Sequence, residues 1–315
     1  MIHNANQHSR LVQKHKTMNF RKRDSIFGLL FVLPVIIYFI IFLLYPMGTA
    51  FYYSFTDWNM RSEPNWVGLQ NYHQLFFDRL HYPYFWQSLK VTCQYVLISI
   101  PLSLTMALVL ALMVDALRRG QDFFKMAFYL PVITADVAVA TIWRWLYDPI
   151  YGLLNMFLGI FGLPAQNWLW NADMVIPSLA IISAWQCGGS MIIFLAGLKS
   201  IPSELYEVSS IDGASSWQRF RFITLPMLRP TTFYLLVTGT IGAFQVFGLV
   251  YTLFGAGGGT IGGPDQAGLT YVLYLYQQAM RYYQVGGANA MSMILLVIIF
   301  IVTYLQFRFV PQNYV

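Results

Sequence analysis

The residues best placed to work on another molecule lie in one polar stretch, 199–230, between two long apolar runs. Glu207-Val208-Ser209-Ser210-Ile211-Asp212-Gly213-Ala214 is followed by Phe220 and then by Ile223-Thr224-Leu225-Pro226. This is the chemistry of a docking surface, not of a reaction. Pro202 suits the first turn of a helix, where its missing N–H has no partner to lose. Glu204 and Glu207 then complement the positive end of the helix dipole. Asp212-Gly213 is a turn signal, since glycine reaches positive φ without penalty. Ser215 or Ser216 can cap a second short helix carrying Trp217, Phe220 and Phe222. Leu225-Pro226 is expected to redirect the chain, and Pro230 to open the next apolar run. The expected result is two short helices set at an angle, apolar groups exposed on one side, a knob shaped to be gripped. An ordinary polar hairpin is the plainer alternative.

Other candidates are weaker. Asp136 lies midway along an apolar run, where a carboxylate costs roughly 2.5–3.5 kcal/mol on insertion scales. It should face a helix, a partner subunit or water, in a structural pairing rather than a proton relay. Arg144, two turns later on that face, is expected to snorkel outward. The glycine cluster Gly255 to Gly263 is read as a flexible turn, because a phosphate-cradling loop needs Gly-Lys-Ser/Thr opening a helix and none follows. Cys93 and Cys187 fall in apolar segments with no CxxC or metal spacing, which reads as packed thiols. The spans hold no His or carboxylate pair, so no catalytic residue and no metal site is assigned.

The elements that must position these groups are membrane helices. Of 315 residues 57 % are hydrophobic and 10 % charged, against about a quarter charged in soluble domains. A span needs about 20 mostly apolar residues. Six runs meet this, about 26–47, 89–114, 123–147, 175–198, 231–254 and 290–310. Helices are required, because alternation is absent and backbone groups in lipid need internal partners. Pro34, Pro101 and Pro131 interrupt three of them, which membrane helices tolerate. Residues 1–25 carry six basic residues (Arg10, Lys14, Lys16, Arg21, Lys22, Arg23), which places this end in the cytoplasm. The first run is read as a retained span rather than a cleaved signal. Six spans return the tail 311–315 to the same side, leaving 26–310 as one membrane domain. The remaining charge agrees: Arg118, Arg119, Lys125, Lys199, Arg219, Arg221, Arg229 and Arg308 fall inside, and the outer loops hold Arg61, Arg79 and Arg281. That distribution argues against nucleic acid as the partner of the +6 net charge. The outer segments are rich in aromatics, among them Trp58, Trp66, Tyr82, Trp86, Trp168 and Trp170, read as an interfacial belt or as a contact surface for an external partner.

The stretch from Leu205-Tyr206-Glu207 through Asp212-Gly213-Ala214 and Phe220 to Ile223-Thr224-Leu225-Pro226 resembles the EAA loop of bacterial ABC importer permeases. The departure is Val208-Ser209, where that family often has two alanines. Trp66 to Tyr72, Leu130-Pro131 with Trp143 and Gly152, Gly262-Gly263-Pro264, Tyr274 and Gly286 to Ser292 extend the likeness over nearly the whole chain. It is strongest toward the maltose-type and glycerol-phosphate-type carbohydrate branch. The resemblance implies an all-α, six-span type I importer permease in the bacterial inner membrane, with a coupling-helix loop at 199–230. It implies that Glu207, Ser210, Asp212, Gly213, Ala214, Phe220, Leu225 and Pro226 dock an ATPase. ATP and Mg would be bound by two partner subunits and not by this chain. The further partners implied are a second permease, usually a different chain, an external solute-binding protein and a carbohydrate solute moved by alternating access.

The solute path is expected from polar or small residues of the fourth and fifth spans. Carried over from sugar importers with a mid-membrane site, it falls at Ser183, Gln186, Cys187, Ser190, Gly239, Ala243 and Val246, with Gln245 beside them. Most are smaller or less polar than in the maltose-type site, which suggests a wide passage for a bulky glycan. Helix packing is the alternative use of such residues. Two rival functions remain at this point. An ion-coupled secondary carrier would favour several intramembrane charges, and only Asp136 sits deep in a span. A membrane-embedded glycosyltransferase would need convergent acid–base groups.

Overall fold

The computed structural model describes residues 25, 27–255 and 261–309. The basic N-terminal cluster, the C-terminal tail and residues 256–260 of the glycine cluster lie outside them. Four helices are long and apolar enough to cross a membrane: Phe27–Tyr53 (α1), Phe85–Asp115, Arg229–Phe254 and Val285–Phe309. Two bent pairs complete six when each is counted as one span: Gln121–Ile133 with Asp136–Leu146, and Ala172–Trp185 with Gly188–Lys199. Short helices lie between them at Gln70–Phe77 (α2) and Leu153–Ile160. In chain order Phe85–Asp115 is α3, Gln121–Ile133 α4, Asp136–Leu146 α5, Leu153–Ile160 α6, Ala172–Trp185 α7 and Gly188–Lys199 α8.

α3 runs through the middle of the bundle, packed against α7 and α8 and against the start of the fifth span. Ala107 and Ala111, one turn apart on α3, are fully buried. Small side chains let neighbouring backbones approach closely where hydrocarbon offers no hydrophobic gain. Gly188 shows how closely: a Cβ there would strike the Phe128 carbonyl of α4. At Gly189 the nearest atom to a new methyl is Val132 Cγ1, at 4.0 Å. Gly188→Ala is therefore expected to destabilise the detergent-solubilised protein by about 1–3 kcal/mol. Gly189→Ala should leave it unchanged or slightly steadier. Equal unfolding midpoints for the two variants would sink this account of the contact.

The third span is not one continuous rod. α4 and α5 meet at 98°, with Thr134 (ψ 133°) and Ala135 (ψ 140°) extended between them. The Thr134 hydroxyl donates to the Leu130 carbonyl at 2.9 Å, satisfying an acceptor at the end of α4. Asp136 thus opens α5 in its first turn instead of sitting mid-helix, where its charge complements the dipole. The fourth span bends by 49° at Gln186-Cys187. The fifth divides into Arg229–Phe244 and Gly248–Phe254, with Phe247 non-helical (φ −140°, ψ −62°).

Between the fifth and sixth spans, Tyr271–Tyr276 and the π-helical turn Gln277–Arg281 form a helix where a plain outer loop was expected. Tyr271, Leu273 and Tyr274 are fully buried. Its apolar run is too short to register as a span. The outer segment is likewise a packed structure. Asn71 Nδ2 donates to the Ser54 and Thr56 carbonyls at 2.8 Å each, and the Gly286 N–H donates to the Trp58 carbonyl at 3.0 Å. Tyr82 is core rather than belt, and burial, with Asp78 nearby, pushes its phenol up to about 12. Trp66 and Trp170 remain exposed. Cys93 and Cys187 are free thiols, Cys187 buried.

Candidate functional site

The polar stretch folds as two braced helices, Ser203–Ile211 (α9) and Ser216–Arg219 (α10). Pro202 stands just outside α9 in an extended conformation (ψ 131°), one residue earlier than expected. The end of α9 is a Schellman cap. The Ala214 N–H donates to the Ser209 carbonyl at 2.9 Å and the Gly213 N–H to the Ser210 carbonyl at 3.2 Å. Gly213 supplies the left-handed residue that this cap requires, at φ +74°. Ser215 then caps α10: its hydroxyl accepts from the Gln218 N–H at 3.3 Å, and Gln218 Oε1 accepts from the Ser215 N–H at 2.7 Å. Two orphan donors are satisfied reciprocally.

Ser210 braces the pair from its exposed side. It donates to the Tyr206 carbonyl at 2.8 Å and accepts from Arg219 Nη1 at 3.0 Å. The Tyr206 hydroxyl meets Thr224 Oγ1 at 2.9 Å. Tyr206 and Ile223 pack onto a core of α3, α8 and Leu228 that includes Ala107, Met191 and Phe194. The knob is thus anchored on the spans while its far side stays open. Ile211 is 86 % exposed, Trp217 65 % and Phe222 69 %, and Glu207 and Asp212 are exposed beside them. Half-buried Phe220 lies against Trp217, ring centroids 5.5 Å apart.

Leu225-Pro226 does not redirect the chain. α10 continues through a π-helical turn, Phe220–Thr224, and the turn Leu225–Met227 into the fifth-span helix Arg229–Phe244 (α11). The Leu225 N–H donates to the Phe220 carbonyl, five residues back. Pro226 follows at the start of the next helical turn, where it has no N–H to lose.

The path residues scatter. Gln186 and Gln245 each terminate a helix at a break in the fourth and fifth spans. Ser190, Gly239 and Val246 are half-buried. Ser183 is held by its neighbours: Tyr95 lies 2.6 Å away and the Leu179 carbonyl accepts at 3.1 Å. Cys187 and Ala243 depart from the expectation. At 4 % and 9 % exposure they are packed into the helical cores and reach no open space in this chain.

Asp136 and Arg144 find defined partners. Both lie on α5, which packs beside Gly248–Phe254 (α12). The Asp136 carboxylate abuts Gly248 at the start of α12. Arg144 Nη2 donates to the Thr252 and Leu253 carbonyls near its end, at 2.8 and 2.6 Å, while the residue stays exposed. Anion at the N-terminal end and cation at the C-terminal end both suit the helix dipole. Sequence reading missed a further group, Lys90 and Gln94 on α3 with Asp265 above them, because it absorbed Lys90 into an apolar run.

Breaks in three spans, close helix contacts at Ala107, Ala111 and Gly188, and an anchored knob with an exposed face make this a polytopic α-helical bundle. A family described as "Binding-protein-dependent transport system inner membrane component" matches residues 24–313. The chain belongs to this family, the permease subunits of ABC importers. It is 41 % identical over 298 residues to the probable ABC transporter permease protein YesP of Bacillus subtilis, covering 93 % of each chain. It is 33 % identical to the arabinooligosaccharides transport system permease protein AraP of the same organism, over 89 % of this chain and 87 % of that one. Among solved structures, a bacterial alginate ABC transporter in complex with an alginate pentasaccharide-bound periplasmic protein matches with a TM-score of 0.75 and 25 % identity, over 90 % of this chain and 93 % of its counterpart.

Proposed function

We infer that this permease imports a carbohydrate, received from an external solute-binding protein, and that residues 199–230 form its coupling knob. Two ATP-binding subunits hold ATP and Mg and grip the exposed face of Ile211, Trp217 and Phe222, with Glu207 and Asp212 beside it. Both termini and the knob are cytoplasmic, in line with the basic residues around them. A second permease, a different chain, completes a passage that Gln186, Ser190, Gln245 and Val246 border from this side. Closure of the ATPases moves the knobs and turns the passage outward, and hydrolysis resets it inward. The observation that carries the reading is mechanical: hydrogen bonds join the two knob helices, and apolar contacts seat them on the spans, so a push on α9 or α10 is transmitted to α8 and α11. The sugar assignment is supported by the relative named for arabinooligosaccharides and by the alginate transporter structure.

Cysteines at Ile211 and Trp217 test it. Each should form a disulfide crosslink with a cysteine scan of the ATP-binding subunit, with yields that change between nucleotide-free and ATP-trapped importer. A knob free of crosslinks in every nucleotide state would overturn the reading.

A further inference from the structure

α3 carries only two charged residues, Lys90 near its start and Asp115 at its end. Lys90 is exposed and makes no hydrogen bond or ion pair among the described residues. It opens onto a cavity of about 450 Å³ at the end of the bundle opposite the knob, where α3 and α7 begin. Trp86 forms one wall. Its indole N–H donates to the Phe76 carbonyl at 3.2 Å, which fixes the ring, while 50 % of the residue stays exposed. Gln87 and Gln94 flank the cation on the same helix. Gln87 Nε2 donates to the Asp265 carbonyl at 2.7 Å and so holds the facing loop in place. That loop is unusual in its backbone: Asp265 and Gln266 both take the left-handed conformation, φ +49° and +59°. Non-glycine residues rarely adopt it, and such strain concentrates where a surface must be held in one shape for a ligand.

The inventory is specific. A fixed aromatic plate packs on the C–H face of a sugar ring, two primary amides and a carboxylate pair with hydroxyls, and an ammonium without a counter-ion takes an anion. The volume falls within the range of small-molecule sites. We propose that this cavity is an entry subsite for an acidic sugar, a hexuronate unit whose carboxylate meets Lys90 while its ring covers Trp86. A lipid phosphate would also suit Lys90 and Trp86, but Gln87, Gln94 and Asp265 line the same cavity and match the several hydroxyls of a sugar ring. The inference rests on the carbohydrate-import reading and adds the charge class of the solute.

The test uses the complete importer in nanodiscs of zwitterionic lipid, with trigalacturonate and its carboxyl-reduced neutral counterpart as probes in equilibrium dialysis. Lys90→Gln should weaken binding of the acidic trisaccharide at least tenfold and leave the neutral one unaltered. Binding of the acid unaffected by Lys90→Gln, or equal loss for both probes, would overturn the proposal. So would spin-labelled phosphatidylglycerol immobilised by the natural protein, released by Lys90→Gln and undisturbed by the sugar, since the cavity would then be a lipid anchor. ATP hydrolysis stimulated by solute-loaded binding protein tests the import reading separately. If stimulation is present and the acidic preference absent, the subsite alone falls; if stimulation itself is absent, the import reading falls.

Discussion

Gly213→Pro is expected to cut solute-stimulated ATP hydrolysis by the reconstituted importer at least tenfold while the protein still inserts and elutes as a folded species. Gly213 holds φ +74°, and proline is confined near −65°. The substitution also deletes the N–H that donates to the Ser210 carbonyl. Both effects unmake the cap that turns α9 into α10, so the angle between the two knob helices is lost. The spans lose nothing, because no atom lies within 4 Å of a Cβ at this position. Gly213→Ala separates conformation from crowding. Alanine fits the open space and pays only the left-handed penalty, about 1–2 kcal/mol, so part of the stimulation should survive. Glu207→Lys reverses an exposed charge without touching the cap and is expected to impair the stimulation through the docking surface itself. Normal stimulation in the proline variant would show that the angle of the knob does not carry force.

The knob was legible because its signals are local. Asp212-Gly213 signals a turn and Ser215 or Ser216 a helix cap, neither depending on distant packing; the structure gives the cap to Ser215 and adds Gln218 to make a capping box. The π-turn at Phe220–Thr224 was not, since a proline after a polar loop reads as a stop unless the preceding turn is known to widen. Spans were legible as lengths of apolar sequence but not as directions. Hydropathy is the same on both sides of Thr134-Ala135, so the 98° bend left no mark beyond Pro131 and Asp136. The buried helix Tyr271–Tyr276 fell below the length that marks a span. The path residues were the least legible, because a small residue in a membrane helix serves contact and passage alike. Only neighbours distinguish them: Cys187 beside Met191 and Phe194 belongs to a core, whereas Gln186, one residue earlier, ends a helix at a break.

The contact between Asp136 and Gly248 makes the strongest prediction about the spans, because it reverses the sign of one substitution. Ordinarily Gly→Ala in a helix stabilises, by up to about 1 kcal/mol. At Gly248 the new methyl would strike the Asp136 carboxylate oxygen, and Asp136 Cγ and Cβ stand only 3.2 and 3.3 Å away. The side chain cannot swing clear by moving its tip alone. Asp136 opens α5 directly after the 98° bend, and Arg144 holds the far end of α12, so the two helices cannot slide apart cheaply. Gly248→Ala is therefore expected to destabilise the natural protein by about 1–3 kcal/mol. In an Asp136→Ala background the oxygens and Cγ are gone and only the Cβ at 3.3 Å remains, so the same change should cost much less or nothing. The resulting coupling, read from thermal or denaturant unfolding of the four proteins in detergent, should be of the size found for residues in direct contact, about 0.5–3 kcal/mol. If Gly248→Ala has the same effect in both backgrounds, the two broken spans are not locked to each other at this point. Their junction would then have to be held by Arg144 alone.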